Sequence, residues 1–482
     1  MSQQHTTTPD ALIPALKLIV GEANLLLSGV HDDALTPYLE ESRQRVNSVC
    51  QCIVFPSTTA EVAQIVATCR HHKTPIVPIG GNSGRCLGAH SDDPATVMLS
   101  LKKLNRVREI DIANRTITVE AGCILQTIQE TAEKHGLFFP LSLGAEGSCQ
   151  IGGNLATNAG GINVLRYGNT RDLTLGVEAV IPNGTVFNGL SALRKDNTGY
   201  DLKNLLIGSE GTLGIITAAT FTLSPPERNN EHGFIAVNTI EDAITCLHQT
   251  NQVFTGKVSC FEIIPNLAMQ WLEKHSDLRC PIGNNHPWYI WYKIASANPD
   301  DSLAEDNLAC LEALMEDGIV IDATVSQNEA MKTLFWQIRE TLVEVQKFEG
   351  ASVKFDVSVP ISSVAKLINT GYTVVNDLCP DIRPYPFGHL GDGNIHFNLS
   401  RPETMSDETF VNHYKATLVE ALHDLVDGLD GSFSAEHGIG SQKIADMAKY
   451  KDPIALDMMR RIKHAFDPLN LMNPGKVIPP LK

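Results

Sequence analysis

The chain has 482 residues, of which 43% are hydrophobic and 19% charged, which is enough to bury a large core in roughly two or three domains. Its formal net charge of −17 argues against a nucleic-acid or anionic-membrane partner. Eleven cysteines without CxxC spacing, no apolar run of about 18 residues, and an N-terminus unlike a signal or transit peptide predict a cytoplasmic protein with reduced thiols and no membrane span.

The first elements after residue 45 predict alternating helices and strands. Thr58-x-x-Glu61 is a capping-box pattern that starts a helix ending near His72. A strand over 75–79 then leads into Gly80-Gly81-Asn82-Ser83-Gly84. Missing side chains in such a loop expose backbone N–H groups that can bind phosphate, although a tight surface loop has the same composition.

The region 140–161 is unusually rich in glycine and small polar residues. This composition predicts little regular structure, yet Ile151, Leu155 and Ala159 recur as apolar anchors, which flexible linkers seldom carry. We therefore expect the region to wrap a large polar ligand with backbone donors. The Rossmann fingerprint and the P-loop motif do not occur in this half.

The rest of the chain completes this first half and then predicts a second, α+β half from about residue 233. A hairpin is expected at Asn183-Gly184, and the glycine-laced stretch 207–216 is expected to be a strand. Pro225-Pro226 marks a natural boundary. Beyond it, predicted strands over 234–237, 261–264 and 288–292 alternate with helices, which predicts an α+β arrangement.

The most informative stretch is 386–398, where two histidines flank a short turn. Asp392-Gly393 predicts a two-residue type I′ hairpin, which would pair His389 with His396 at roughly 5 Å between Cβ atoms. Strand alternation then places Asn398 on the face of His396. Half of a metal site and an ordinary polar hairpin fit this pattern equally well.

Four further residues are candidates for binding a metal or a substrate. Glu436 and His437 lie in the segment 434–440, and two histidines with one carboxylate suit a divalent first-row metal that keeps open positions. Arg339 is expected in a helix from about Glu329, and Lys354 in a strand over 353–356. Two such cations are most often solvated surface residues.

The glycine loop 80–84, the regions 140–161, 193–202 and 208–216, and the segments 384–398 and 434–440 together resemble the vanillyl-alcohol-oxidase-type FAD oxidoreductases. The chain is similar to the branch that holds D-lactate dehydrogenases and glycolate oxidase subunits, and the run 193–201 is typical of its D-2-hydroxyglutarate dehydrogenase family. The resemblance implies an α+β fold. Its parts are an N-terminal helical segment (1–45), a two-subdomain FAD-binding domain (46–226), an α+β substrate cap (227–430) and a C-terminal segment returning to the FAD domain (431–482).

The resemblance also implies the site residues. FAD, expected to be non-covalent because Asn82 stands where some relatives attach it to a histidine, would contact Pro78, Gly80, Gly81, Asn82, Ser83, Gly84, Pro140, Ser142, Gly144, Ser148, Gly152, Asn154, Thr157, Gly161 and Ile215. The metal ligands would be His389, His396 and Glu436, with zinc expected first and manganese, cobalt or iron also compatible. Substrate would contact Arg339, Lys354, Asn398 and His437, and His437 is the candidate general base.

The implied reaction is oxidation of D-2-hydroxyglutarate to 2-oxoglutarate, with hydride transfer from C2 to flavin N5 and the metal acting as Lewis acid. Val343 replaces the family's substrate-binding threonine, so D-malate, D-lactate and glycolate stay as alternatives. An electron-transfer flavoprotein or quinone as acceptor and a homodimer are expected by analogy. The rivals are a metallohydrolase that uses the same histidines and a silent flavoprotein that only binds; a yellow colour bleached by substrate would distinguish them.

Overall fold

The computed structural model describes residues 11–41 and 46–480, which fall into two compact units. The first unit comprises Met1–Gly160, Asn169–Pro225 and Glu436–Lys482, and the second comprises Gly161–Gly168 and Pro226–Ala435. The predicted N-terminal helical segment lies outside the described residues at 1–10 and 42–45. Its described part contains helices, but also the short strands Leu25–Leu27 and Glu40–Glu41.

The helices and strands are named in chain order. The strands are β1 (Leu25–Leu27), β2 (Glu40–Glu41), β3 (Val46–Asn47), β4 (Cys52–Val54), β5 (Ile76–Ile79), β6 (Val97–Ser100), β7 (Val107–Asp111), β8 (Thr116–Glu120), β9 (Thr174–Val180), β10 (Val186–Gly189), β11 (Ile215–Thr222), β12 (Asn229–Val237), β13 (Val258–Pro265), β14 (Trp288–Ser296), β15 (Val320–Val325), β16 (Ser352–Val353), β17 (Val357–Ser358), β18 (Arg383–His389) and β19 (Asn394–Ser400). The helices are α1 (Leu12–Val20), α2 (Asp32–Leu39), α3 (Thr59–His71), α4 (Leu125–Lys134), α5 (Ile151–Thr157), α6 (Val164–Tyr167), α7 (Thr170–Leu173), α8 (Lys203–Leu206), α9 (Ile240–Val253), α10 (Asn266–His275), α11 (Leu303–Glu316), α12 (Glu329–Val345), α13 (Val364–Leu378), α14 (Asp407–His413), α15 (Lys415–Asp427), α16 (Ile444–Tyr450) and α17 (Pro453–Phe466).

The first unit contains two larger sheets. One has the order β1-β4-β6-β5, in which β4, β6 and β5 are parallel, and the other is antiparallel with the order β10-β9-β11-β8-β7. The predicted helix after Thr58 is confirmed as α3, because the Thr58 side chain accepts a hydrogen bond from the Glu61 N–H at 3.1 Å. β5 ends at the glycine loop, so the strand positions that loop at its carboxyl end.

The second unit is built on one antiparallel sheet of order β15-β12-β14-β13-β18-β19-β16, with β17 also paired to β19. Both faces of this sheet are buried. Along β12, Ile235 and Val237 belong to one hydrophobic cluster, and Phe234 and Ala236 belong to another. Because alternate residues of a strand point to opposite faces, helices cover the sheet on each side.

Two glycine-rich predictions were wrong. Region 140–161 contains the regular helix α5, because Ile151 and Leu155, four residues apart, are both buried on one side of it. Stretch 207–214 is not a strand, because Gly208, Glu210 and Gly211 take positive φ angles of 80°, 50° and 75°. An extended strand needs negative φ, so β11 begins only at Ile215.

The expected strand over 353–356 is also interrupted. β16 ends at Val353 and β17 begins at Val357, and both pair with β19. Between them the Phe355 N–H donates to the side-chain Oδ1 of Asn398 at 3.2 Å. A side chain thus takes the place of a main-chain acceptor, and Lys354 lies in an exposed connection rather than in a strand.

Across residues 11–41 and 46–480, none of the helices combines the length and the hydropathy that a membrane crossing requires.

Candidate functional site

The two candidate histidines stand at the ends of the turn between β18 and β19, but the predicted register was wrong. A 3-10 turn over Leu390–Asp392 and then Gly393 connect the strands, so His389 pairs with Asn394 and Phe387 with His396. A type I′ turn needs two consecutive positive φ angles. Gly393 has φ 79°, whereas Asp392 does not take a positive φ.

The two histidine side chains nevertheless lie close together. His396 faces the residue two positions before His389, which makes the histidines diagonal neighbours on one face of the strand pair, a separation that ring side chains can bridge. Their ring centroids are 5.5 Å apart. The Phe387 ring lies 5.2 Å from that of His396. The hairpin therefore brings both imidazoles to one place by a different register.

A buried carboxylate joins His389 to Arg339. Glu262 lies on β13 and pairs directly with His389 of β18. Its Oε1 accepts from His389 Nδ1 at 2.6 Å, and its Oε2 accepts from Arg339 Nε at 2.5 Å. Burial alone raises the pKa of Glu262, but its interactions with His389 and Arg339 outweigh that rise and lower the pKa to about 2. The carboxylate is therefore ionised at neutral pH.

The second histidine lies near another buried acid. Asp356 Oδ1 is 4.0 Å from His396 Nδ1 and accepts a hydrogen bond from Asn394 Nδ2 at 3.1 Å. The Asp356 backbone oxygen accepts from the N–H of Ala435 at 3.1 Å. These bonds tie the chain at Ala435 to the strand hairpin that carries His396.

Glu436 follows Ala435 directly in the chain, so the hydrogen bond of Ala435 to Asp356 also restricts where Glu436 lies. His389, His396 and Glu436 each offer one ligand atom, and these atoms all lie within 4.8 Å of one another. His437 Nε2 lies 3.7 Å from Glu436 Oε1. Two imidazoles and a carboxylate at such distances can hold a divalent first-row metal after small side-chain adjustments.

The glycines after His437 bind an acid of the first unit. Glu210 is buried, and its two carboxylate oxygens accept from the N–H groups of Ile439 at 2.7 Å and Gly440 at 2.8 Å. Burial raises the pKa of the Glu210 carboxyl, and the two N–H donors oppose that rise. Gly440 must lack a side chain here, because a Cβ would lie 1.7 Å from the Cys86 carbonyl oxygen. The segment 438–440 is therefore a nest for Glu210.

The remaining predicted substrate residues differ in exposure. Arg339 lies on the buried face of α12, with its guanidinium 5.1 Å from the centre of the Phe387 ring. Asn398 is also buried, and its Nδ2 donates to Gln346 Oε1 at 2.9 Å. Lys354 is exposed. Val343, one turn beyond Arg339 on α12, packs against the hydrophobic cluster on that side of the sheet.

The two glycine-rich regions of the predicted cofactor site are in close contact. A Cβ at Gly81 would lie 2.1 Å from the Ser148 carbonyl oxygen, and a Cβ at Gly152 would lie 2.7 Å from that of Ala121. Asn82 takes a left-handed φ of 51° and donates its Nδ2 to the Glu40 carbonyl oxygen at 3.2 Å. Backbone therefore packs on backbone here, as a loop that must approach a large ligand requires.

Two buried side-chain oxygens in this region fit a cofactor with hydroxyl donors. Gln150 Oε1 and Asn154 Oδ1 have no hydrogen-bond partner among the described residues. Buried acceptors of this kind normally have donors, and the ribityl hydroxyls of FAD are suitable ones. The residues present therefore fit FAD.

The structure locates the other predicted cofactor residues as follows. Pro78 lies in β5 and Ile215 at the start of β11. Loop and helix positions are occupied by Gly80, Ser83, Gly84, Pro140, Ser142, Gly144, Ser148 and Thr157, all in the first unit, while Gly161 belongs to the second unit. Their contacts with a cofactor stay predictions.

Glu262, Asp356 and Glu210 are functional candidates that the sequence interpretation missed. Each is a buried acid with polar partners. Glu262 did leave a signal, because it interrupts an otherwise apolar strand, Phe261-Glu262-Ile263-Ile264. Acids are almost never fully buried unless they are paired, so that pattern predicts a partner without naming it.

Two family models match the chain. The model described as FAD binding domain matches residues 50–189, and the model described as FAD linked oxidases, C-terminal domain, matches residues 227–477.

Several relatives are similar over most of the chain. The mitochondrial D-2-hydroxyglutarate dehydrogenase of Bos taurus is 35% identical over 90% of this chain and 78% of its own length. The Arabidopsis thaliana mitochondrial enzyme of the same name is 34% identical over 96% and 80%. A D-2-hydroxyglutarate dehydrogenase of Xanthomonas citri pv. viticola is 35% identical over 88% of each chain.

Solved structures share the fold at lower identity. p-Cresol methylhydroxylase with substrate bound has a TM-score of 0.76 at 16% identity and covers 97% of this chain and 96% of its own. Alkyldihydroxyacetonephosphate synthase has a TM-score of 0.72 at 17% identity and covers 98% and 86%. The predicted fold class, an α+β arrangement with a vanillyl-alcohol-oxidase-type FAD-binding domain and a cap, is therefore confirmed.

Proposed function

The chain belongs to the FAD-linked oxidases and, within them, to the D-2-hydroxyglutarate dehydrogenase family, and from that premise we propose that it oxidises D-2-hydroxyglutarate to 2-oxoglutarate. It is an FAD-dependent oxidoreductase that acts on 2-hydroxy acids. The proposal adds the particular acid, the metal and the roles of individual residues.

One observation carries the choice of substrate. Glu262 binds a candidate metal ligand, His389, with one oxygen and a buried guanidinium, Arg339, with the other. A metal at the hydroxy-acid end and a cation at the far end suit a substrate that has two carboxylates. A monocarboxylate such as D-lactate would leave the guanidinium without a substrate group to bind.

His389, His396 and Glu436 would hold the metal, with zinc as the first candidate. A divalent ion held there would supply Lewis acidity to the hydroxyl group of the substrate. His437, next to Glu436, would accept the hydroxyl proton, since the pKa of an imidazole suits that task. Asn398, already oriented by Gln346 and Phe355, would donate its remaining amide N–H to the C1 carboxylate.

The cofactor is proposed to be bound without a covalent bond. Asn82 offers no nucleophile at the position where some relatives carry a histidine. The flavin would supply the two-electron acceptor, while Gly80, Gly81 and the N-terminal part of α5 provide backbone and amide groups around it. Electrons would then pass to an electron-transfer flavoprotein or a quinone. A homodimer and a cytoplasmic location complete the proposal; they rest on analogy and on composition.

The distal carboxylate of the substrate has its own proposed contacts. Arg339 and the exposed Lys354 would bind the second carboxylate. Val343 provides no hydroxyl donor one turn beyond Arg339, which weakens the preference over D-malate. Specificity would therefore depend on the two cations.

The test is a set of D- and L-2-hydroxy acids mixed anaerobically with purified protein while flavin absorbance is followed. We expect a yellow protein that D-2-hydroxyglutarate bleaches fastest, and that loses bleaching but keeps its flavin after chelation. In Arg339→Ala and Lys354→Ala, kcat/KM for D-2-hydroxyglutarate should fall at least tenfold more than for D-lactate. Equal losses on both acids would contradict the distal role, and a colourless protein would favour a metallohydrolase.

A further inference from the structure

Glu262 is a charged residue at the centre of an apolar sheet. Its side chain is fully buried, and Phe261, Ile263 and Ile264 beside it belong to the hydrophobic clusters of the second unit. β13 meets β18 at two register positions, Glu262 with His389 and Ile263 with Gly388. Residues directly opposite on antiparallel strands share one face, so the backbone itself places the carboxylate beside the imidazole.

Each oxygen of this carboxylate has a separate partner. Oε1 accepts from His389 Nδ1 and Oε2 from Arg339 Nε. One acid thus binds two residues that are 50 positions apart in the chain and lie on different elements, β18 and α12. Burying a carboxylate is costly unless partners of this kind compensate it, and these two contacts supply that compensation.

The contact with His389 determines which nitrogen of that ring can bind a metal. An ionised carboxylate requires a proton on Nδ1, which leaves the lone pair on Nε2. A carboxylate behind a metal-binding histidine also fixes the ring orientation and increases the basicity of the ligand. Without Glu262, His389 could rotate or adopt the other tautomer.

The contact with Arg339 orients the guanidinium. Because the group is planar, a bond at Nε together with the Phe387 ring 5.1 Å away restricts both its position and its plane. Phe387 in turn lies beside His396. The guanidinium and the two imidazoles are therefore positioned by one group of packed side chains.

We propose that Glu262 is a positioning residue that couples the metal-binding form of His389 to the orientation of Arg339, and thereby sets both metal affinity and the preference for a dicarboxylate. This inference rests on the proposed function for the identity of the metal and substrate ends. The inference predicts that one substitution, at a residue to which no contact with metal or substrate is assigned, changes both the zinc affinity and the substrate preference.

The main test compares Glu262→Gln with Glu349→Gln in the FAD-loaded protein. Glu349 is a matched control in the same unit: it is buried, it has a pKa lowered to about 2, and it binds Lys274, His275 and Arg383. Zinc affinity is measured by competition with a chromogenic chelator. The substrate preference is the ratio of kcat/KM for D-2-hydroxyglutarate to that for D-lactate.

We expect zinc affinity about 10–100-fold weaker in Glu262→Gln, together with a preference ratio at least tenfold lower. Glu349→Gln should stay within about twofold of wild type in both. Unchanged zinc affinity in a folded Glu262→Gln, or equal losses in the two variants, would overturn the inference. A wild-type protein that binds no divalent metal would instead contradict the proposed function, and with it the metal half of the inference.

A second pair of variants covers the case in which Glu262→Gln fails to fold because the buried Arg339 loses the Glu262 carboxylate. The pair is Arg339→Met and the double variant Glu262→Gln/Arg339→Met, in which no unpaired charge remains between these two positions. The double variant should bind zinc at least tenfold more weakly than Arg339→Met. Equal zinc affinity in the two would overturn the role of Glu262 toward His389.

Discussion

The predicted cofactor region and the predicted metal and substrate residues are constructed in opposite ways. Around the glycine loop, backbone packs directly on backbone, as the 2.1 Å that would separate a Gly81 Cβ from the Ser148 oxygen makes clear. Around the histidine hairpin, charged side chains are held by other charged side chains, with Glu262 between His389 and Arg339.

The difference shows which kind of change each region can tolerate. A region in which backbone packs on backbone is sensitive to added volume, because an added methyl group would overlap with neighbouring atoms. A network of buried charges is sensitive to the loss of one charge, because its partner is left uncompensated in a low-dielectric interior. The experiments below test that distinction by changing charge in one region and volume in the other.

The largest effect is expected from His437→Ala. Removal of a general base typically costs 10²–10⁴-fold in rate, so kcat for the hydroxy acid should fall by about that factor while KM changes little. Rapid-mixing measurement of flavin reduction gives both parameters. His413→Ala, an exposed histidine at the end of α14, is the control and should keep wild-type turnover. Near-normal flavin reduction in His437→Ala would eliminate the base assignment.

A smaller effect is expected from adding a methyl group to α5, where two adjacent glycines form a matched pair. A Cβ at Gly152 would meet that of Ala121 at 2.7 Å, whereas a Cβ at Gly153 would have no atom within 4 Å. Gly152→Ala should therefore destabilise the protein by about 1–3 kcal/mol. Gly153→Ala should be neutral or stabilising by up to about 1 kcal/mol, since alanine favours helix.

Thermal unfolding and the amount of bound FAD distinguish the two glycine variants. At roughly 2–4 °C per kcal/mol for a domain of this size, Gly152→Ala should melt visibly lower than Gly153→Ala. If Gly153→Ala keeps its stability but loses FAD, the half-buried side of α5 that carries Gly153 faces the cofactor. Equal melting temperatures would show that volume does not limit this region.

The smallest effect is a pH dependence of stability from Glu349. Burial raises its pKa, but His275, Lys274 and Arg383 lower it to about 2, below the ordinary value of 4.5. A lowered carboxyl pKa stabilises the folded state above about pH 4.5, and this contribution, on the order of 2 kcal/mol, is lost as the pH falls toward 2. Urea unfolding at pH 6 and pH 3.5 should show a smaller acid loss in Glu349→Gln than in wild type. An identical loss would contradict the assignment.

Local patterns in the sequence accounted for much of this protein. Thr58 and Glu61 predict the start of α3 because an N-cap depends on residues three apart. The glycine loop after β5 and the two histidines around one turn are likewise properties of short segments. Such features can be predicted from the sequence because they depend on few residues and on little tertiary context.

Only the tertiary structure determined the distances between segments that are remote in the chain. The hairpin register depended on the conformation of Asp392, and the break after Val353 depended on a hydrogen bond from Phe355 to Asn398. Glu262 lies 127 positions from His389 and 77 from Arg339. The order of β13 beside β18 in the sheet brings these groups together, and that order results from the packing of the whole unit rather than from any local pattern.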